Sequence, residues 1–495
     1  MKRTKIVCTI GPASESKSKI ERMVKSGLNV ARLNFSHGSY KHHTMLINNI
    51  RSVAAKTGKP VAILQDLQGP RIRIGNVVKE GIKVNTGEQI VLVPEHFRIA
   101  LKDVSTFIPI QYPNLYRDLK VGNPILIDDA KIELEVLAIK NKAIRCKVKV
   151  GDVINSHKGM NFPKSSITAP PVTEKDKEDL RFGIKQGVDF IALSFVKDAS
   201  DIIDLRKIIH NIESRLGRKT KDFKKPKRHA DWPETITKII AKIERPEAVK
   251  NFEKILAVTD GIMVARGDLG LEVPLEDLPL IQKKIIRRCV QESKPVIVAT
   301  QMLDSMIRYP VPTRAEVSDV ANAVLDGTDA IMLSGETATG KYPLKAVQVM
   351  AKIAGEMEKT EINEHEKIEE LLQKTGGITE TVSHAVKNIA DDVKAKLVVC
   401  ATTSGFTARS IAKFRPDINI VALAASEKTR NQLSLSWGVE PYYLPFVPSF
   451  NQLLDKIRKL LLVKKLVAKG DVIIIAAGHP FGYVGQTNLV KVETI

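Results

Sequence analysis

The chain has 495 residues, 43% of them hydrophobic and 27% charged, a globular composition too long for one ordinary core, so two to four domains are expected. Its 77 basic side chains against 56 acidic ones leave a net charge of +21, a field that draws phosphates, acidic metabolites or nucleic acid, with a lysine-rich solvated surface as the plainer reading. No run of eighteen apolar residues occurs, the start "MKRTKIVCTIGP" lacks a secretory core, and Cys8, Cys146, Cys289 and Cys400 form no CxxC pair, so we expect a soluble cytoplasmic protein with neither a membrane span, a disulfide framework nor a structural zinc.

Along the chain, eight short apolar runs recur: "KIVCTI", "VARLNF", "VAILQDL", "DFIALSF", "IIAKIE", "GIMVAR", "PVIVAT" and "AIMLSG". Each is rich in Val, Ile or Leu with little polar alternation, as strands covered on both faces are. Most precede amphipathic stretches such as "SKIERMVKSG", "EDLRFGIKQG" and "LPLIQKKIIRRCVQES". Eight such units predict a (β/α)8 barrel over 1–70 and 169–357. The third unit is interrupted by 71–168, where "ILIDDAKIELEVL" and "AIRCKVKVGDVI" alternate with glycine turns, predicting an inserted β-barrel lid. After "EKTEINEHEKIEE", the runs "KLVVCATTSG", "NIVALAAS" and "GDVIIIAAG" predict a separate α/β domain over 358–495.

Active sites of (β/α)8 barrels form at the C-terminal ends of the strands. The unusual polar residues fall there: Arg32, Asn34 and Ser36 after strand two, Asp66 after strand three, Lys242 and Glu244 on strand five, Asp268 after strand six, Thr300 after strand seven, Ser334 and Glu336 after strand eight. Any one of them reads most simply as a cap or surface ion pair. Independent caps, however, have no reason to gather acid, lysine and arginine at one rim. Two residues apart on a strand, Lys242 and Glu244 share a face. Glu244 and Asp268 are hard oxygen donors suited to Mg²⁺ or Mn²⁺, with no His or Cys cluster to favour a softer metal. Lys242 and Arg32 add fixed positive charge, which suits phosphoryl transfer. From the residues alone, a metal-assisted enolisation with Lys242 as a base of lowered pKa stays open. Neither GxxxxGK[ST] nor a protein-kinase Gly-rich loop is present, so a nucleotide must be held another way.

The blocks "TKIVCTIGPAS", "VARLNFSHG", "AKIERPEAV", "GIMVARGDLGLEVP", "VIVATQMLDSM" and "PTRAEVSDVANAVLDGTDAIMLSGETATGKYP" resemble pyruvate kinase, in family order and over nearly the whole chain. The resemblance implies transfer of phosphate from phosphoenolpyruvate to ADP, giving pyruvate and ATP in glycolysis, in a homotetramer. It assigns Lys242 to the phosphoryl group in flight, Glu244 and Asp268 to Mg²⁺, Arg32 to the phosphate, and Thr300 with Gly267 and Asp268 to the substrate carboxylate. Ser334 and Glu336 match a polar network near the methylene carbon. Asn34, His37 and Arg73 match nucleotide contacts, with Asp129 and Lys158 on the lid. Asn34, Ser36, Asp66 and the backbone at Leu67 match a K⁺ site. Many relatives have an acidic residue at the position of Arg71, and potassium-independent ones a basic residue, so K⁺ is expected to be dispensable here.

Two further stretches stand apart. Between Glu213 and Thr235, "RLGRKTKDFKKPKR" carries eight Lys or Arg and one acid, read as a solvated loop, with nucleic-acid binding as the sharper alternative. In "CATTSGFTARSIAKFRP", Thr402, Thr403, Ser404 and Gly405 sit between a strand and a helix as an anion cradle, which in the family binds a phosphorylated effector. The facing loop "GHPFGYVGQTN" lacks Arg and Lys, which points to a monophosphate such as a sugar phosphate or AMP rather than fructose 1,6-bisphosphate.

Overall fold

A computed structural model describes residues 2–96, 106–218, 235–359, 377–447, 449–479 and 485–495. Most of the basic insert, the acidic connector and part of the glycine-rich facing loop lie outside them. Eight parallel strands close in chain order into a barrel: Lys5–Thr9, Leu28–Asn34, Ala62–Asp66, Phe190–Leu193, Lys238–Ile243, Gly261–Ala265, Val296–Ala299 and Ala330–Leu333. They coincide with the eight apolar runs. Six of them are buried at every position, because helices cover one face while side chains fill the lumen. Inside, Val7, Val30, Leu64, Ile240, Met263 and Ile297 form one cluster, while the alternate positions Ile6, Cys8, Ala31 and Ile63 pack outward against the helices.

The helix starts are set by local chemistry. Thr173, Asp198 and Thr313 each close a capping box with an acidic residue three positions on, and Gly187, at φ 76, ends the helix Glu174–Gln186 in the left-handed region that glycine favours. The interrupting segment carries a six-stranded sheet whose long members, Ile132–Lys140 and Ala143–Val150, form an antiparallel hairpin, plus a two-stranded ribbon. The C-terminal sheet has five strands. Leu397–Thr402 lies between Asn419–Ala424 and Val472–Ala477, all parallel, with Leu489–Thr494 antiparallel at one edge and Val439–Tyr443 at the other. The two edge strands, "LVKVET" and "VEPYY", were not expected; both are more exposed and more polar than the three inner ones.

This sheet domain docks under the barrel, at the N-terminal ends of the strands and away from the rim where the polar residues gather. Asp189, wholly buried just before the fourth barrel strand, accepts from the Ile63 amide at 2.8 Å and from Arg51 at 2.8 Å, with Lys428 of the C-terminal domain 3.7 Å away. Gln432 donates to the carbonyls of Asp189 and Ile236. Removing a buried carboxylate from such a set strands its cations, so Asp189→Ala is expected to cost about 3 kcal/mol. This is read as a lower urea midpoint, and an unchanged midpoint would contradict the docking role.

Candidate active site

The C-terminal ends of the barrel strands open into a cavity of about 520 Å³, lined by Arg32, Asn34, Ser36, Asp66, Leu67, Gln68, Arg71, Ser194, Phe195, Lys242, Glu244, Met263, Ala265, Asp268, Thr300 and Met332. Ten of these were singled out in the sequence. Its centre is the ammonium of Lys242, whose side chain is 11% exposed. That group lies 2.8 Å from Glu244 Oε1 and 3.4 Å from Asp66 Oδ1, and donates to Ser194 Oγ at 2.8 Å. Glu244 follows directly on the strand that carries Lys242, and the period of two does bring the pair to one face.

Asp66 couples this cluster to the second strand. Its Oδ2 accepts from Arg32 Nε at 2.7 Å, and Arg32 also donates to Thr9 Oγ1 at 2.8 Å. The strand register puts Asp66 beside both Asn34 and Ala192, so three neighbouring strands meet at this carboxylate. Burial works against the Lys242 ammonium, but Asp66 and Glu244 outweigh it and hold its pKa above that of an ordinary lysine. A general base needs the opposite shift, which argues against the enolisation reading. Burial also opposes the Asp66 charge, yet Lys242 and Arg32 keep its pKa low. Glu244 moves the other way, raised by burial and by Asp268 despite Lys242.

The donor set suits a divalent ion. Glu244 Oε1 and Asp66 Oδ1 are buried and accept no hydrogen bond, although the Lys242 ammonium is beside each. Among the described residues, no three His, Cys, Asp or Glu converge on a metal position. Two carboxylates, Glu244 and Asp268, with the remaining positions left to substrate oxygens and water, are the pattern Mg²⁺ favours. Three cations, Arg32, Arg71 and Lys242, face three carboxylates, Asp66, Glu244 and Asp268. The lining is therefore near neutral, and accommodates a divalent ion best together with an anionic substrate.

Thr300 is held in a strained backbone, with φ of 71 and Gln301 at 55, positions a β-branched residue seldom takes. Two hydrogen bonds fix it. Its Oγ1 accepts from the Gly267 amide at 2.7 Å, and its carbonyl accepts from Arg266 at 2.8 Å. Arg266 is clamped in turn by both oxygens of Asp319, at 2.5 and 2.7 Å. A Cβ on Gly267 would stand 3.3 Å from Thr300 Oγ1, so glycine permits the close approach.

Other expected residues lie around rather than in the cavity. Ser334 and Glu336 do not line it. Both Glu336 oxygens accept from backbone amides, of Leu303 at 3.2 Å and Ser334 at 2.7 Å, so this carboxylate braces the loops after strands seven and eight. Burial raises its pKa. His37 is pushed below the ordinary histidine value by burial, then by Arg73, Arg71 and Arg32, which marks a cationic approach to the rim. On the lid, Arg73 donates to the His157 carbonyl at 2.8 Å, and Lys158 pairs with Asp128 at 2.9 Å. Asp129, the expected lid residue, sits between Asp128 and Ala130 in a run of three left-handed residues. Arg71 reaches Asp268 at 3.6 Å rather than a lid carboxylate, with the lid backbone at Gly159 close above it.

Ser194 and Phe195 were missed, as were Arg266 and Asp319. The signal for the first pair was "FIALSF": strand four, alone between strands two and eight, had been given no rim residue. The Phe195 amide donates to Glu244 Oε2 at 2.7 Å, and Ser194 Oγ donates to the Leu67 carbonyl at 2.9 Å. Strand four therefore holds both partners of the central pair.

In the C-terminal domain, Thr402, Thr403 and Ser404 line a separate cavity of about 610 Å³ with Phe406, Leu444, Phe446 and Gln486. Thr402 Oγ1 accepts from the Gly405 amide at 2.9 Å. Gly405 has φ 80, and a Cβ there would meet Arg409 and Leu433 below 3 Å.

Residues 1–347 match the family model for the pyruvate kinase barrel domain, and 380–493 that for the pyruvate kinase alpha/beta domain. The pyruvate kinase of Geobacillus stearothermophilus is 43% identical over 500 residues, spanning 100% of this chain and 80% of the relative. That of Sporosarcina psychrophila is 43% identical over 497 residues, spanning 100% and 81%. A solved pyruvate kinase from Cryptosporidium parvum superposes with a TM-score of 0.88 at 35% identity, covering 100% of this chain and 96% of that one.

The two-carboxylate arrangement is checked without turnover. Mn²⁺ binding, followed by the electron paramagnetic resonance of the free ion, is expected to weaken at least tenfold in Glu244→Gln and in Asp268→Asn. Unchanged affinity in both would contradict the assignment.

Proposed function

The chain belongs to the pyruvate kinase family and is a phosphotransferase, and from that premise we propose which side chains carry phosphate from phosphoenolpyruvate to ADP. The observation that carries the proposal is the buried, charged Lys242, anchored by Asp66, Glu244 and Ser194 at the cavity centre. An ammonium fixed there needs no reorganisation as negative charge spreads over the transferring oxygens. Arg32, oriented by Asp66 and Thr9, binds the phosphate. Thr300, positioned by the Gly267 amide that donates to its Oγ1, receives the substrate carboxylate together with the Asp268 amide. Lys242 also stabilises the enolate oxygen left when the phosphoryl group departs.

Glu244 and Asp268 are the residues that would hold Mg²⁺ or Mn²⁺. Such an ion supplies Lewis-acid polarisation of the substrate oxygens. Ser334, set by Glu336, belongs to the network that delivers the final proton to the methylene carbon. Nucleotide phosphates approach through Asn34, His37 and Arg73, and Lys158 with Asp128 and Asp129 closes the lid over them, excluding water from the enolate.

The C-terminal cavity, with hydroxyls on one wall and apolar side chains on the other, is assigned to an effector carrying one phosphate. A homotetramer in the cytoplasm is inferred from family membership and from exposed apolar side chains such as Leu280, Tyr309, Val311 and Val463. Among the described residues, no helix is long and apolar enough to cross a membrane.

Pyruvate formation from phosphoenolpyruvate and ADP with Mg²⁺ tests the central role. Lys242→Met is expected to lose at least a thousandfold in kcat, about 4 kcal/mol; a variant at wild-type rate refutes it. A second prediction concerns K⁺. Arg71 lines the cavity with Asn34, Ser36, Asp66 and Leu67, where its guanidinium supplies fixed positive charge, and a second cation packed beside it would be repelled. Full activity is expected when K⁺ is replaced by a large organic cation, with Arg71→Glu losing activity that K⁺ restores. A wild-type rate that falls tenfold without K⁺ would contradict this.

A further inference from the structure

A small basic pocket lies at the seam between the barrel and the C-terminal domain. Ser293, Lys294 and Asp329 reach it from the barrel, and Arg409, Lys413 and Arg415 from the other side. Lys294 and Asp329 precede the seventh and eighth barrel strands, so this cavity is at the end of the barrel opposite the active site.

Four cations and one carboxylate, Asp329, line it. Lys413 has its own partner in Glu380, and the Lys294 ammonium donates to the carbonyls of Leu256 and Ala257. Asp329 is largely spent: its oxygens accept from the amides of Trp437 and Val296, each at 3.1 Å. Arg409 donates only weakly to the Ser404 carbonyl, at 3.2 Å.

Arg415 is the telling residue. It is 5% exposed and takes a left-handed φ of 48 directly before Pro416, a conformation that both its own Cβ and the following proline disfavour. Its guanidinium lies 4.5 Å over the Trp437 ring, with one amino group donating to the Gly327 carbonyl at 2.5 Å. The other amino group stands 3.6 Å from Asp329, too far for a hydrogen bond, and both it and Nε are buried without an acceptor. Buried donors left unmade carry their full desolvation cost, and cationic donors the most.

We propose that this seam binds a small inorganic anion, held by the open donors of Arg415 with Arg409 and Lys294 around it. Chloride and inorganic phosphate share the required chemistry, a compact negative charge with several acceptor directions. The site is distinct from the effector cavity but touches it through Arg409, whose contact is the carbonyl of Ser404 in the cradle loop.

Trp437, stacked on Arg415, is a local reporter. The chain has two tryptophans, so Trp232→Phe leaves its fluorescence alone. Titrating this full-length protein with sodium phosphate, and separately with sodium chloride, at constant ionic strength made up with a bulky organic anion, is expected to give a saturable change for at least one of the two. The responding anion identifies the ligand. The midpoint is expected to rise at least tenfold in Arg415→Met and, should that variant not fold, in Lys294→Met. No saturable response to either anion, or the same midpoint in the folded variants, overturns the proposal.

Discussion

A lysine ammonium buried at the heart of the site constrains everything around it. Moving a charge out of water is tolerated only when opposite charges and hydrogen-bond partners surround it. Lys242 meets that demand with two carboxylates and a hydroxyl, taken from strands three, four and five. Each partner is itself tied down: Asp66 by Arg32, Glu244 by the Phe195 amide, Ser194 by the Leu67 carbonyl. The barrel therefore serves as more than a container. Its parallel register, with side chains alternating between lumen and helices, delivers these groups to one level at the rim.

The same logic extends to the outer residues. Thr300 stays in a left-handed backbone because Gly267, Arg266 and Asp319 hold it there, its hydroxyl oxygen taking the Gly267 amide at the rim. Glu336 spends its charge on two backbone amides and so fixes the loops that follow the last two strands. At the far end of the barrel, Asp189 and Gln432 join the C-terminal domain to the starts of strands four and five, which end at Ser194 and carry Lys242. The mouth and the domain seam are thus two ends of the same strands.

Much of this was legible in the sequence because the governing patterns are local. Eight β-rich apolar runs give eight strands, and the spacing of Lys242 and Glu244 on one run gives their shared face. Legibility failed where the partner was a backbone group or a turn decided the outcome. Ser194 reads in sequence like any serine at a strand end, since nothing nearby reveals that an ammonium from the next strand donates to it. Nothing in the sequence shows what Glu336 holds, since its two oxygens are filled by backbone amides, one of them 33 residues away in the chain. In the lid, Asp128 pairs with Lys158 within a run of three successive left-handed residues, a detail of backbone conformation. The edge strands of the C-terminal sheet escaped because half-exposed strands alternate and lose the apolar signal.

The central claim is that Lys242 acts as a fixed cation and never as a base. The most direct measurement is the ionisation of its ammonium, followed by NMR in protein carrying labelled lysine, with Lys242→Met to assign the resonance. The account predicts that Lys242 stays protonated past the ordinary lysine value of 10.5. A titration below that value would contradict it.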